Sequence, residues 1–294
     1  MLDVNRLLIL RELHMRGSMA AVAEALNFSS SAISQQIAQL EREVKQPLIR
    51  RVGRGVQLTP QALLLVESAA ELADILERTE TELLHFHDTV SGTVRVAVFQ
   101  SAALALIPTT LREMTRRHPD VRVEVVQKEP AEAVRGAWSR EFDIVIAEEY
   151  PAHSRPTQPG LNRDDLLKDE IQLATPPGSS ILQLDEAAEL PWVMEPPGTA
   201  SRHFAELTCR TAGFEPDVRF ETADLQAHIQ LVETGNAVAL IPTLLLRGRA
   251  SESHIVRLES RPERTIYTVR RDAARQAPAS DAFLELLRHT ASVA

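Results

Sequence analysis

The sequence predicts an α/β protein in three parts: a small, mainly helical head that ends in a β-hairpin, a long linking helix, and a body of two α/β subdomains. Three observations predict it. Residues 1–58 carry eight Lys+Arg against five Asp+Glu, a net +3, so with the whole chain at -9 the remainder stands at -12, the asymmetry of a basic module on an acidic body. Residues 60–87 hold no Gly and no Pro after Pro60, so one helix of about 42 Å is expected there at about 1.5 Å per residue. From residue 93 onward, short apolar runs that alternate in strand fashion are interleaved with longer helical stretches, the pattern of a sheet covered by helices.

Composition excludes several classes. A chain of 294 residues has length for about two domains, 44% hydrophobic and 25% charged residues are ordinary for a globular protein, and 17 Pro with 11 Gly are too few for a fibrous or low-complexity chain. The single Cys209 has no internal disulfide partner, and no Cys/His cluster has zinc spacing. The apolar run Leu7 to Leu10 is cut by Arg11 and Glu12, too short for a signal-peptide core, and nothing approaches the roughly 20 apolar residues of a membrane span. A cytoplasmic protein with no metal, no cofactor and no membrane partner is expected.

In the head, Val4, Leu7, Leu10 and Leu13 recur on one side of a helix expected over about residues 4–16, with Gly17 placed to end it. Ser18 reads as the N-cap of a short helix over residues 19–26, whose Ala20, Ala21, Ala23 and Ala25 let another helix approach closely. After a break at Asn27 and Phe28, a third helix starts in the cluster Ser29, Ser30 and Ser31, and its Ile33, Ile37, Leu40 and Val44 step by four, three and four to form a buried stripe. The opposite face carries Ser30, Ser31, Ser34, Gln35 and Gln39, uncharged donors and acceptors suited to base edges. Two compact helices joined by a tight turn, the second polar outside, follow the helix-turn-helix plan in which the second helix enters the major groove. A plain helical bundle with a solvated polar face is the alternative these residues leave open.

Arg50, Arg51 and Arg54 surround Gly53 and Gly55 between two short β-prone runs, which reads as a hairpin wing whose arginines approach phosphates or a narrow minor groove. Thr59-Pro60 is a helix start, a capping hydroxyl followed by proline at the first helical position. Along that helix Leu65, Ala69, Leu72, Leu76, Thr79 and Leu83 alternate four and three, a heptad seam for a partner chain or for the chain's own body. Domain boundaries are therefore expected at 1–58, 59–90 and 91–294.

The stretch AAVAEALNFSSSAISQQIAQLEREV, followed by QPLIRRVGRGVQLTPQA, resembles the N-terminal module of LysR-type transcriptional regulators. GTVRVAV, LIPTTLREMTRRHPDVRVEVV, REFDIVIA and VETGNAVALIP are similar to that family's effector domain, so the likeness runs over essentially the whole chain. Two places depart from it: Ser30 and Ser31 stand where a Gln-Pro pair is common, and Gln35 where Arg is. The resemblance implies a winged helix-turn-helix with a body arranged like a periplasmic solute-binding protein, subdomain I at about 91–162 and 268–294 and subdomain II at about 163–267. It further implies a transcription regulator and not an enzyme, bound to double-stranded DNA of partial dyad symmetry as a homodimer or homotetramer, responsive to a small-molecule effector, and in contact with RNA polymerase if it activates.

The body reads the same way from its residues. Val94, Val96 and Val98, then Val121, Val123 and Val125, then Ile144 to Ile146 are strands separated by helices, and a second set runs from Ile171 to Ile241. Ligands of open α/β sheets bind beyond the carboxyl ends of strands, where helix N-termini offer free N–H groups. Gln100, Ser101, Thr199 and Thr222 occupy such turns and suit a carboxylate, while Glu129 and Glu148, after the second and third strands, suit an amino group. The expected effector is an amino acid or another carboxylate. Ordinary N-caps and solvated surface acids are the other reading of the same residues.

Catalytic motifs are missing: no Walker-type loop, no G-x-G-x-x-G and no G-x-S-x-G occurs. His85 and His87 lie two apart on a helix and face different ways, and Cys209 beside Arg210 reads as a packing cysteine. The body alone also fits a free-standing small-molecule-binding protein or an α/β enzyme with no role in transcription.

Overall fold

Asp3 starts the chain's first helix by accepting a hydrogen bond from the Arg6 amide at 3.2 Å, and Gly17, at φ 73°, ends it in the left-handed region that costs glycine nothing. The structure, a computed structural model, describes residues 2–52, 55–84, 89–151, 160–248, 251–272 and 277–293, and it divides into two units, residues 1–87 and 88–294. His85 and His87 lie outside the described residues.

In the first unit, α1 (Val4–Arg16), α2 (Met19–Ala25) and α3 (Ser30–Val44) follow the expected order, the latter two capped by Ser18 and Ser29. Leu10, Val22, Ile33, Ile37 and Leu40 are fully buried, each worth roughly 1.5–3 kcal/mol of transfer free energy. The hairpin pairs β1 (Ile49–Val52) with β2 (Gly55–Leu58), Ile49 opposite Leu58. Glu41 ties it to α3, its Oε1 accepting from the Leu48 and Ile49 amides at 2.7 and 3.3 Å. Thr59 Oγ1 accepts from the Ala62 amide at 3.2 Å and donates to the Pro47 carbonyl at 2.9 Å, which seats the start of α4 (Pro60–Leu84). Its first half returns along α1: Ala62, Val66 and Ala69 join the core that Leu7, Leu10 and Leu13 form. The helix thus belongs to the head, and the division falls after residue 87 rather than at 58.

The second unit opens with β3 (Gly92–Val98), α5 (Gln100–Ala105), α6 (Ile107–Arg117), β4 (Val121–Gln127), α7 (Pro130–Trp138) and β5 (Ile144–Glu149), with β3 parallel to both β4 and β5. A 15-residue strand, β6 (Leu161–Thr175), follows. Then come β7 (Pro191–Met194), α8 (Ala200–Thr211), β8 (Asp217–Glu221), α9 (Leu225–Glu233), β9 (Ala239–Pro242), β10 (His254–Arg257), β11 (Glu263–Arg271) and α10 (Pro278–Val293). The larger sheet runs β10-β6-β11-β5-β3-β4, with β9 also on β6.

That order makes β6 a member of both subdomains. Its Leu161–Glu170 stretch pairs antiparallel with β11, which lies on β5, and its last residues pair with β9 and β10. The first subdomain therefore continues to about Glu170 and resumes at Glu263, beyond the crossings expected near 162 and 268, and its sheet is mixed instead of parallel. The segment reads NRDDLLKDE, with no alternation of apolar residues to announce a strand, because both strands carry their charges at the sheet's functional edge.

Each face of this sheet has its own core. Val94, Val96 and Val98 pack against α5, α6 and Phe283 and Leu287 of α10, while Ala97, Val145 and Ala147 pack against Ala133 and Ala137 of α7. In the second subdomain Trp192, buried beside Cys209, donates from Nε1 to the Ala187 carbonyl at 3.2 Å, which satisfies a polar group that burial would otherwise penalise.

Candidate functional site

The outer face of α3 presents Ser30, Ser31, Ser34 and Gln35 fully to solvent. Ser29, also exposed, spends its hydroxyl on the Ala32 amide at 3.1 Å and on Ser31 Oγ at 2.9 Å, and Gln39 Oε1 accepts from Arg42 Nε at 3.0 Å. Ser30, Ser34 and Gln35 keep donors and acceptors unused within the described residues. Arg50 is exposed on β1. Arg51 lies on β1 with its side chain outside the described residues, and Arg54 lies wholly outside them. Arg6 holds the back of α3 through Glu43 and through Gln36 Oε1 at 3.1 Å.

The seam expected on α4 splits. Ala69 is fully buried in the head, and Leu65 and Leu72 pack partly against that core. Leu76 and Leu83 stay exposed, at 50% and 60%, as do Leu64 and Ile75. A heptad pattern cannot say whether a partner chain or the helix's own domain covers it, and here α1 takes the first half.

Between the two subdomains of the body lies a cavity of about 550 Å³. Glu129, Ala131, Glu148 and Tyr267 line it from one side, and Glu195, Thr199 and Ser201 from the other. Of the residues the sequence pointed to, Glu129, Glu148 and Thr199 are in its lining; Gln100, Ser101 and Thr222 are not. Thr199 caps α8, accepting from the Arg202 amide at 3.3 Å. The cap of α9 is Asp224, not Thr222: Asp224 Oδ1 accepts from the Gln226 amide at 2.9 Å. Gln100 also closes that helix end, accepting from the Leu225 amide and donating to Asp224 Oδ1, both at 2.8 Å. No N–H is left at this turn for an anion, because a side chain from the other subdomain already occupies it.

Arg264 of β11, which the sequence did not single out, sits beneath the cavity at 1% exposure. It donates to Asp169 Oδ2 from Nε at 2.9 Å and from Nη2 at 2.7 Å, to Ser101 Oγ at 2.7 Å, and to Glu148. Its ring neighbours are Phe99 and Tyr150, centred 5.2 and 5.9 Å away. The surrounding carboxylates hold the guanidinium charged against burial. Burial in turn pushes the Glu148 carboxyl above its ordinary range, opposed by Arg264, and Glu195 is pushed up to about 7 by burial and by Glu148 and Glu129 nearby. The other cavity arginine, Arg163, is held by Glu149 at 2.7 Å and Asp165 at 3.0 Å. Cys209 is fully buried and its thiol is pushed up to about 12 by desolvation, so it is a packing residue.

Among the described residues no group of three or more His, Cys, Asp and Glu is placed to hold a metal ion, and no helix is long and apolar enough to cross a membrane.

A winged helix-turn-helix head with a bare recognition face and a two-subdomain body around a cavity define a DNA-binding transcription regulator with a ligand-binding body. The chain belongs to the LysR family: residues 4–63 match the model described as bacterial regulatory helix-turn-helix protein, lysR family, and residues 87–292 match the LysR substrate binding domain. It is 22% identical to the uncharacterized HTH-type transcriptional regulator YcgK of Bacillus subtilis over 98% of this chain and 95% of that one. It is 29% identical to the transcriptional dual regulator GltC of Bacillus subtilis over 72% and 71%. Full-length OxyR from Pseudomonas aeruginosa shares the fold with a TM-score of 0.68 at 14% identity, covering 98% of each chain. Full-length CbnR complexed with its target DNA shares it with a TM-score of 0.54 at 21% identity, covering 98% of this chain and 99% of that one. These families and relatives are regulators of transcription, not enzymes.

Proposed function

We propose that this LysR-family regulator senses a small molecule in the cavity between its two body subdomains and binds operator DNA as an oligomer paired through the outer half of α4. The cavity carries this reading: a space of about 550 Å³ lined from both subdomains is of the size that encloses a small ligand, and filling it biases the angle between them. Ser30, Ser34 and Gln35 supply base contacts, and Arg50, Arg51 and Arg54 supply phosphate contacts. Leu76 and Leu83, exposed on a helix whose inner face is already covered, support pairing with a second copy, whose two heads then meet a site of partial dyad symmetry. RNA polymerase is a further partner if the outcome is activation.

The test is retardation of duplex fragments from the protein's own upstream region in low-salt buffer. Retention of one fragment over a shuffled sequence is expected, with half-sites about one helical turn apart. Equal binding to all fragments overturns sequence-specific recognition.

A further inference from the structure

We infer that the cavity takes a small molecule bearing a protonated amine or guanidinium, recognised by Glu129, Glu148 and Glu195. The inference rests on the reading of this cavity as the effector site and specifies its ligand.

Charge accounting comes first. Arg264 is the cation under the cavity, yet it serves two carboxylates, Glu148 and Asp169, and all three are nearly or fully withdrawn from water at 1%, 12% and 1% side-chain exposure. One positive and two negative charges leave that buried network one charge short. Arg163 makes up none of the deficit, since Glu149 and Asp165 already hold it. Glu129 and Glu195, in the same lining, form no ion pair among the described residues. Buried unpaired carboxylates are costly, and a ligand cation placed among them removes that cost on binding.

A second observation is independent of the acids. Behind Glu195 and Ser201 opens a side chamber of about 30 Å³ lined by His228, which is 3% exposed. Its Nε2 donates to the Thr222 carbonyl at 2.8 Å. Burial disfavours the charged ring, so Nδ1 is an acceptor, and it has no partner. The chamber and the cavity share Glu195 and Ser201. An ammonium or guanidinium, rich in N–H donors and without acceptors, answers an unused buried acceptor and three carboxylates together; a carboxylate ligand answers none of them. Only Arg135, on the exposed side of α7, favours an anion.

The test is thermal shift and calorimetry on the full chain without DNA, with agmatine, cadaverine and phenethylamine set against glutarate and 3-phenylpropionate. At least one amine or guanidine is expected to raise Tm and bind stoichiometrically, and the carboxylates are not. Glu195→Gln and Glu129→Gln, which remove charge but keep size, are each expected to weaken that binding by about tenfold or more, the worth of one charge-assisted hydrogen bond. His228→Phe, which fills the chamber, is expected to weaken it without altering the response to salt. The proposal is overturned if no amine or guanidine binds, if the carboxylates bind and the amines do not, or if amine binding survives both glutamine variants. Carboxylate binding leaves the effector reading standing and removes only the cationic class; loss of operator binding, measured separately, removes the regulatory reading alone.

Discussion

Arg264 and Asp169 are joined by two hydrogen bonds to one oxygen, Oδ2, at 2.9 and 2.7 Å, while the other oxygen of Asp169 accepts from the Leu244 amide at 2.8 Å. The pair connects β11 to β6 at the point where β6 leaves the first subdomain's sheet for the second, and the Leu244 bond reaches the turn Thr243–Leu246 that follows β9. Replacing Arg264 by Met leaves Asp169 and Glu148 buried without a cation. A loss of about 3–5 kcal/mol is expected, read as a lower denaturation midpoint of the body. Arg264→Lys, which cannot make the fork of bonds, is expected to recover only part of it. A neutral effect of Arg264→Met contradicts the account.

The α3 face and the wing separate by their salt behaviour. Ser34→Ala and Gln35→Ala are expected to change preference among operator bases by roughly 1–3 kcal/mol if each contact is direct, with the salt slope unchanged. Arg50→Ala is expected to weaken every duplex alike and to reduce the slope of log K against log salt by about one. Anisotropy titrations on two operator variants at several salt concentrations distinguish the two patterns; interchanged patterns refute the assignment.

Along α4, position decides consequence. Leu76→Glu with Leu83→Glu places charge on exposed apolar residues and is expected to give a monomer by sedimentation equilibrium with the head still folded. Ala69→Glu buries a charge in the head's core and is expected to unfold it. A paired species that persists in the Leu76, Leu83 double variant excludes this half of the helix as the pairing surface.

Glu195 makes the empty body sensitive to pH. Its folded-state carboxyl titrates at about 7 against an ordinary 4.5, so the folded state holds a proton the unfolded chain releases; the stability present below pH 4.5 is lost as pH rises through 7. The groups facing it are Glu148 from β5, Glu129 before α7, Arg264 from β11 and Ser201 on α8. Relative to Glu195→Gln, the wild type is expected to lose on the order of 3 kcal/mol between pH 4.5 and pH 8. A cation that binds only the ionised form is expected to bind about tenfold more tightly at pH 8 than at pH 6. A stability difference between the two proteins that is flat in pH contradicts the burial of this carboxyl.

Much of the head was legible because helix signals are local. Ser18, Ser29 and Thr59 cap the helices they precede, and Ile33, Ile37 and Leu40 are buried as their spacing requires. The strands of the body that alternate valines were legible for the same reason. Of the cavity, Glu129, Glu148 and Thr199 were legible as residues that follow strands, a rule of topology that needs no contact information.

By itself the sequence determined the helix-turn-helix, the wing, the long helix and the α/β order of the body, since caps and periodicities involve residues one to four positions apart. Only the tertiary structure decided which polar groups meet: Arg264 finds Asp169 across 95 residues and Ser101 across 163, and Gln100 finds Asp224 across 124. The charged strand from Leu161 to Glu170 carried no apolar alternation because its partners, β5 and β11, bring the matching charges from elsewhere in the chain. No local pattern encodes a counter-ion, so the electrostatics of the cavity could be read only once the chain had folded around it.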